Sequence, residues 1–119
     1  MYVLNVIVAV LLGVGFLMAG VGRIVDVKMM IEIRQRFGLP SGLFRVIGGL
    51  EIFGGVGVLS GLHEDLPIIG ILAAAGLVGM TIGAAAYHQK AGDDMKAWAP
   101  AVMMGSIAIF YIILRIATA

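Results

Sequence analysis

Four nearly uncharged runs of about twenty residues each leave this chain few ways to fold. A helix needs about 20 apolar residues to cross a hydrocarbon core of about 30 Å. Inside that core every backbone polar group must be satisfied within the protein, which favours helices. The runs are Tyr2–Gly22, Leu43–Leu62, Pro67–His88 and Ala99–Ala117. The whole chain is 61% hydrophobic and 13% charged over 119 residues. A soluble domain of this size exposes too much of its surface to hide so much oil, whereas lipid solvates it. The expected fold class is therefore all-α: an integral membrane four-helix transmembrane bundle, forming one domain over residues 1–119. The first run has no Lys or Arg before Arg23. It also exceeds the apolar core of about 7–15 residues in a cleaved signal peptide, so it reads as a retained span.

The connections differ in kind. Arg23–Gly42 mixes charge with oil: Ile24, Val27 and Ile31, with Met30, Ile33 and Phe37, recur at helical spacing, while Asp26, Glu32, Gln35 and Arg36 fall mostly elsewhere on the wheel. An amphipathic segment lying in the interface fits that pattern, with Glu32 and Arg36 as an i,i+4 pair. Gly38 and Pro40 are expected to break it before the second span. His63–Leu66 is short enough to make spans two and three a tight hairpin. Gln89–Trp98 joins spans three and four, with Trp98 where interfacial aromatics collect.

Charge sets an orientation. Of the eight Lys and Arg residues, Arg23, Lys28, Arg34, Arg36, Arg45, Lys90 and Lys96 belong to the two longer connections, and Arg115 alone lies toward the other side. The positive-inside rule then puts both connections in the cytoplasm and both termini outside. A net charge of +1 offers no field for nucleic acid. With no cysteine, the chain has no disulfide, no thiolate metal site and no cysteine-held iron–sulfur cluster. No metal or haem is expected; in particular, His63 and His88 fall at opposite membrane faces and could not share a haem.

Polar residues within spans are costly and usually face the bundle interior. Glu51 lies about 9 Å deeper than Arg45 along an ideal helix, and about 120° round it. Counting inward from the same membrane face, Thr81 and Ser106 reach a similar depth. One end of the bundle is thus expected to gather Arg45, His88 and Asp93, with Glu51, Thr81 and Ser106 a layer further in, as a ligand-binding or polar cluster. Glu51 could equally be glue, hydrogen-bonded between helices. The glycine pairs Gly57/Gly61 and Gly79/Gly83 are small-xxx-small patterns that read as close helix contacts. Such faces exceed what one small bundle needs, so a homo-oligomer or a partner complex is expected.

The ordered set Gly20-Val-Gly-Arg23, Phe37-Gly-Leu-Pro40, Arg45-x-x-Gly48-x-x-Glu51-x-x-Gly54 and His88-x-x-x-Gly92-Asp93, followed by a last span containing Pro100, resembles the DoxX-like family of small membrane proteins. The resemblance covers nearly the whole chain. It implies a four-helix transmembrane bundle, mostly bacterial and hence an inner-membrane location, and an association with quinone-linked redox complexes. Its motif carries onto Arg45, Glu51, His88 and Asp93. Arg23 stands where the family often has Lys, which keeps the charge, and the absence of cysteine puts any thiol chemistry of this chain alone in doubt.

The leading functional expectation is a membrane-embedded accessory or binding subunit. It would hold a small apolar ligand, a quinone or a lipid, beside Glu51 and His88, or dock a redox partner. The alternative is a small multidrug-type proton-coupled transporter using a buried Glu. Against that stand the position of Glu51, in the second span rather than the first, and the strong charge bias between the two sides. An enzyme such as a quinone reductase is a third reading, and no cofactor-binding motif supports it.

Overall fold

A computed structural model describes residues 2–118, so positions 1 and 119 of the expected domain lie outside the described residues. The helices run in the order α1 (Tyr2–Ile24), α2 (Lys28–Phe37), α3 (Ser41–Ser60), α4 (Pro67–Lys90) and α5 (Met95–Thr118). All but α2 are long and apolar enough to cross a membrane. Only 22–39% of each apolar window is buried inside the protein. The remaining apolar surface, including Phe53 at 80% exposure and Met18 at 70%, suits the hydrocarbon of a membrane and not water. The protein is a multi-pass, all-α membrane bundle.

Local chemistry sets the element ends. Gly38, at φ 69°, takes the left-handed conformation that closes α2, with its N–H bonded to the Gln35 carbonyl and that of Leu39 to Arg34. Pro40, two residues on, caps α3 in an extended conformation. The turn from α1 to α2 passes through Asp26 at φ 57°, a conformation Asp tolerates better than most residues. At the far end of α3 each carbonyl of the last turn finds a donor. Gly57, Leu59 and Ser60 accept from the backbone N–H groups of Gly61, Leu62 and His63, and Val58 accepts from the Tyr111 hydroxyl at 2.8 Å. In hydrocarbon, where no water substitutes, such completeness is required.

One boundary differs from expectation by more than two residues. Helix α5 begins at Met95, not Ala99, so Trp98 lies within the helix and Pro100 inside it. The Asp94 carboxylate accepts from the Ala97 N–H and caps the start, which the apolar run alone could not indicate.

Helices α1 and α3 pack antiparallel through glycine. A Cβ at Gly20 would sit 2.8 Å from an Ile52 side-chain carbon, and one at Gly48 would sit 2.8 Å from the Gly20 carbonyl oxygen. One heptad further along, Gly13 faces Leu59 and Gly55 faces the Gly13 carbonyl. This register sets the end of α1, Ile24, about level with residue 44, so only the first residues of α3 extend past it. The expected pairs behave differently from each other. Gly57 and Gly61 do meet α4, at Ala73 and Gly70, but a Cβ at Gly79 or Gly83 would meet nothing within 4 Å. These two are not helix contacts within the bundle.

The core, built from Val8, Leu12 and Phe16 of α1, Val58 of α3, Leu77 of α4 and Tyr111 and Leu114 of α5, fills the end that holds both termini. Asn5 donates to Thr118 there at 3.2 Å, which ties α1 to α5. Packing is looser at the opposite end, the one bearing α2.

Candidate functional site

At the α2 end the helices border a half-open cavity of about 640 Å³. It exists because the residues facing it are small: Ala19 from α1, Gly83 and Ala84 from α4, Ala97 and Ala101 from α5. The larger wall residues include four rings, Phe16, Phe37, Phe44 and Tyr87. Helix α2 borders the cavity with Met29, Ile33 and Phe37, alongside Glu32 and Arg36, so the expected amphipathic segment is present and turns part of its apolar face toward the cavity.

Two polar groups are set into this apolar wall. The first is Glu51, 4% exposed, which forms an ion pair with Arg23. The Arg23 guanidinium also lies 5.0 Å from the centre of the Phe44 ring, within cation–π range. Arg45, the expected neighbour of Glu51, is not part of this group. It bonds Asp26 at 2.5 Å on the outside, with its side chain 53% exposed. The reason is angular: six residues of helix separate Arg45 from Glu51 by about 120°, and the Gly20–Gly48 contact brings the end of α1, not Arg45, onto the face that carries Glu51.

The second group is His88 with Asp93. His88 Nδ1 lies 2.7 Å from Asp93 Oδ2, and both side chains are about nine-tenths buried. The backbone explains the pairing. Gly92, at φ 77°, ends α4 in a Schellman motif, with the Asp93 N–H bonded to the His88 carbonyl at 3.0 Å and that of Gly92 to Gln89. That motif places the residue after the glycine against the residue at the start of the last turn, a contact usually apolar. Here it is a carboxylate against an imidazole. Arg36 of α2 bonds the same carboxylate oxygen at 3.0 Å, instead of the expected Glu32. Phe37 stacks on Tyr87 at 5.4 Å and meets the His88 ring edge-on at 4.8 Å. Helix α2 is thereby latched to α4 and the α4–α5 turn.

Of the other expected members, Thr81 lines the cavity, its hydroxyl donating to the Val78 carbonyl at 2.8 Å and filling the space left by Gly105. Ser106 does not join them. It is exposed, and its hydroxyl donates to Val102 within its own helix. Matching depth was not enough, because Ser106 is on the wrong face of α5. The structure thus brings together Glu51, Thr81, His88 and Asp93, leaves out Arg45 and Ser106, and adds Arg23, Arg36 and Phe37. The strings Gly20-Val-Gly-Arg23 and Phe37-Gly-Leu-Pro40 held Arg23 and Phe37, with Arg36 just before the second, but nothing in one sequence tells which residues between two spans fold back onto a span. Among the described residues no three His, Asp or Glu side chains converge to hold a metal ion.

The sequence profile of the DoxX-like family matches residues 7–111, a stretch that includes every residue of the site. The chain belongs to the DoxX-like family. No curated protein and no solved structure matches it. The family establishes what kind of membrane protein this is. What the DoxX-like cavity takes up must be argued from its walls.

Proposed function

We propose that this DoxX-like protein holds the ring of a quinone-class ligand in the cavity beside Glu51 and His88, as an accessory subunit serving a membrane redox partner. One observation carries the reading: a largely apolar cavity walled by Phe16, Phe37, Phe44 and Tyr87, into which two polar groups project already paired. Its volume falls in the range of about 300–1,000 Å³ usual for small-molecule sites. Aromatic walls suit a flat ring. Glu51 is paired with Arg23, and Asp93 with Arg36 and His88, which suits an uncharged head; the other charged residues of the lining, Glu32 and Lys96, are exposed and of opposite sign. With Nδ1 engaged by Asp93, His88 keeps Nε2 for the ligand. Neutral, that nitrogen accepts a hydrogen bond from a quinol hydroxyl; protonated, it donates to a quinone carbonyl. A proton-coupled transporter is less well supported, because the Glu51 carboxylate is engaged by Arg23 rather than left to exchange protons.

The Lys and Arg distribution supports an orientation with the α2 end in the cytoplasm and both termini outside. Native mass spectrometry of the purified protein tests the ligand. The expected spectrum contains retained quinone, lost in Gly83→Phe, which fills the cavity from a position where a Cβ meets nothing. A spectrum showing only phospholipid, or quinone retained equally by Gly83→Phe, overturns the reading.

A further inference from the structure

Leu50 and Met80 line the cavity and also a second hollow of about 330 Å³ between α3 and α4. The second hollow is apolar, with walls that include Phe53, Gly54, Ala73 and Gly76. It faces outward: Phe53 is 80% exposed and Leu72, at its far end, is 67% exposed. Leu72, Gly76 and Met80 recur at four-residue steps, so on one face of α4 they trace a path of about 12 Å leading away from the α2 end and along the bilayer. The hollow persists because Gly76 and Ala73 offer no bulk, and because Gly54 lies so close to Leu77 that no side chain fits there. On the water side, by contrast, the cavity is bordered by α2, which is held by the Arg36–Asp93 pair and the Phe37–Tyr87 stack.

We propose that the gap between α3 and α4 is a tail channel. The cavity's ligand carries a long hydrocarbon chain that leaves between Leu50 and Met80 and lies in the outer groove, and the ligand enters from the bilayer by the same gap. This rests on the ring-binding reading and adds to it the lipophilic chain and the route. Free lipid chains also reach the groove. A chain tethered to a head in the cavity competes with them at a high local concentration, so the groove selects the ligand's own tail. A head without a tail gains nothing from the groove.

Three glycines of α4 separate these statements. Gly76 lines the groove, Gly83 lines the cavity, and Gly79 lines neither; a Cβ at any of the three meets nothing within 4 Å. Each is changed to Phe, and binding is measured in nanodiscs with two probes: decyl-substituted dimethoxymethylbenzoquinone and the same ring without the chain. Thermal unfolding checks that each variant folds. In the expected result, Gly76→Phe weakens the decyl probe by about tenfold and leaves the tail-less ring as in the unchanged protein. Gly79→Phe binds both normally, and Gly83→Phe loses both. If Gly76→Phe leaves decyl binding intact, or weakens both probes equally, while Gly83→Phe abolishes binding, the channel is overturned and the ring site stands. If the unchanged protein binds neither probe, or Gly83→Phe binds both normally, the ring site falls and the channel with it.

Discussion

Glu51 sits inside a span, where an unpaired charge costs about 2.5–3.5 kcal/mol on insertion scales, and Arg23, reaching in from the end of α1, removes most of that cost. The pair's contribution shows best when one partner is deleted. Arg23→Leu should lower stability by about 3–5 kcal/mol, the usual consequence of leaving a buried ion without its partner. The double variant Arg23→Leu/Glu51→Leu should regain most of the loss in thermal unfolding of the detergent-solubilised protein. A double variant as unstable as the single would mean that the pair acts through something besides mutual neutralisation. The His88–Asp93 contact depends on a backbone residue with no side chain. Gly92 holds φ at 77°, so Gly92→Ala should cost about 1–2 kcal/mol and loosen the turn that seats Asp93. In NMR spectra the downfield Nδ1 proton of His88 should weaken or vanish. Its persistence would show that Arg36 alone can position the carboxylate.

At the scale of elements, the molecule is two close helix pairs joined less tightly. Gly13 and Gly20 let α1 approach α3 at Gly55 and Gly48, and Tyr111 of α5 reaches past Gly70 to the end of α3. Lipid gives no hydrophobic drive for helices to associate, so backbone approach and complete hydrogen bonding supply the packing. Gly20→Leu forces atoms into the space of Ile52 and the Gly48 carbonyl and should cost at least about 1–3 kcal/mol, as overpacking does. Gly79→Leu, on an open face of α4, should unfold at the temperature of the unchanged protein. Similar losses from both would remove the α1–α3 seam as the main contact. Helix α2 plays another part. Too short and too charged to span, it spends part of its apolar face on the cavity and its Arg36 on the α4–α5 turn.

At the scale of the whole molecule, the two ends differ in packing and in charge. The end with both termini is filled by Leu12, Tyr111 and Leu114, while the α2 end is hollow and carries most of the cations. Arg115, the cation at the filled end, is 7% exposed and bonds Thr118 at 3.2 Å, so it is an internal structural group more than a surface charge. That strengthens the asymmetry on which the orientation rests. Cysteines placed singly at Lys90 and at Glu64 should react with a membrane-impermeant reagent from opposite sides of right-side-out cells, with only Glu64→Cys labelled from outside. Labelling of Lys90→Cys alone would invert the topology.

Chain chemistry by itself determined the bundle. Four apolar runs in lipid can only be helices, Gly38-x-Pro40 can only interrupt them, and the mixed charge and oil before it makes an interfacial segment. The burial of Glu51 was legible for the same reason, since a carboxylate in a span has nowhere cheap to go but inward. The His88–Asp93 pair was half legible: the spacing to Gly92 is visible, and the left-handed turn that folds Asp93 back becomes evident once the helix is known to end there. What only the tertiary structure decided was partnership. Depth along a helix can be counted from sequence, but rotation about it and the register against a neighbour cannot. Arg23 therefore became the partner of Glu51 while Arg45 left the expected polar cluster, Ser106 turned outward, and Gly83 faced a cavity instead of a helix. The cavity itself was invisible for a related reason. Empty space arises where small residues from three helices happen to face one another, and no single segment carries a mark of that.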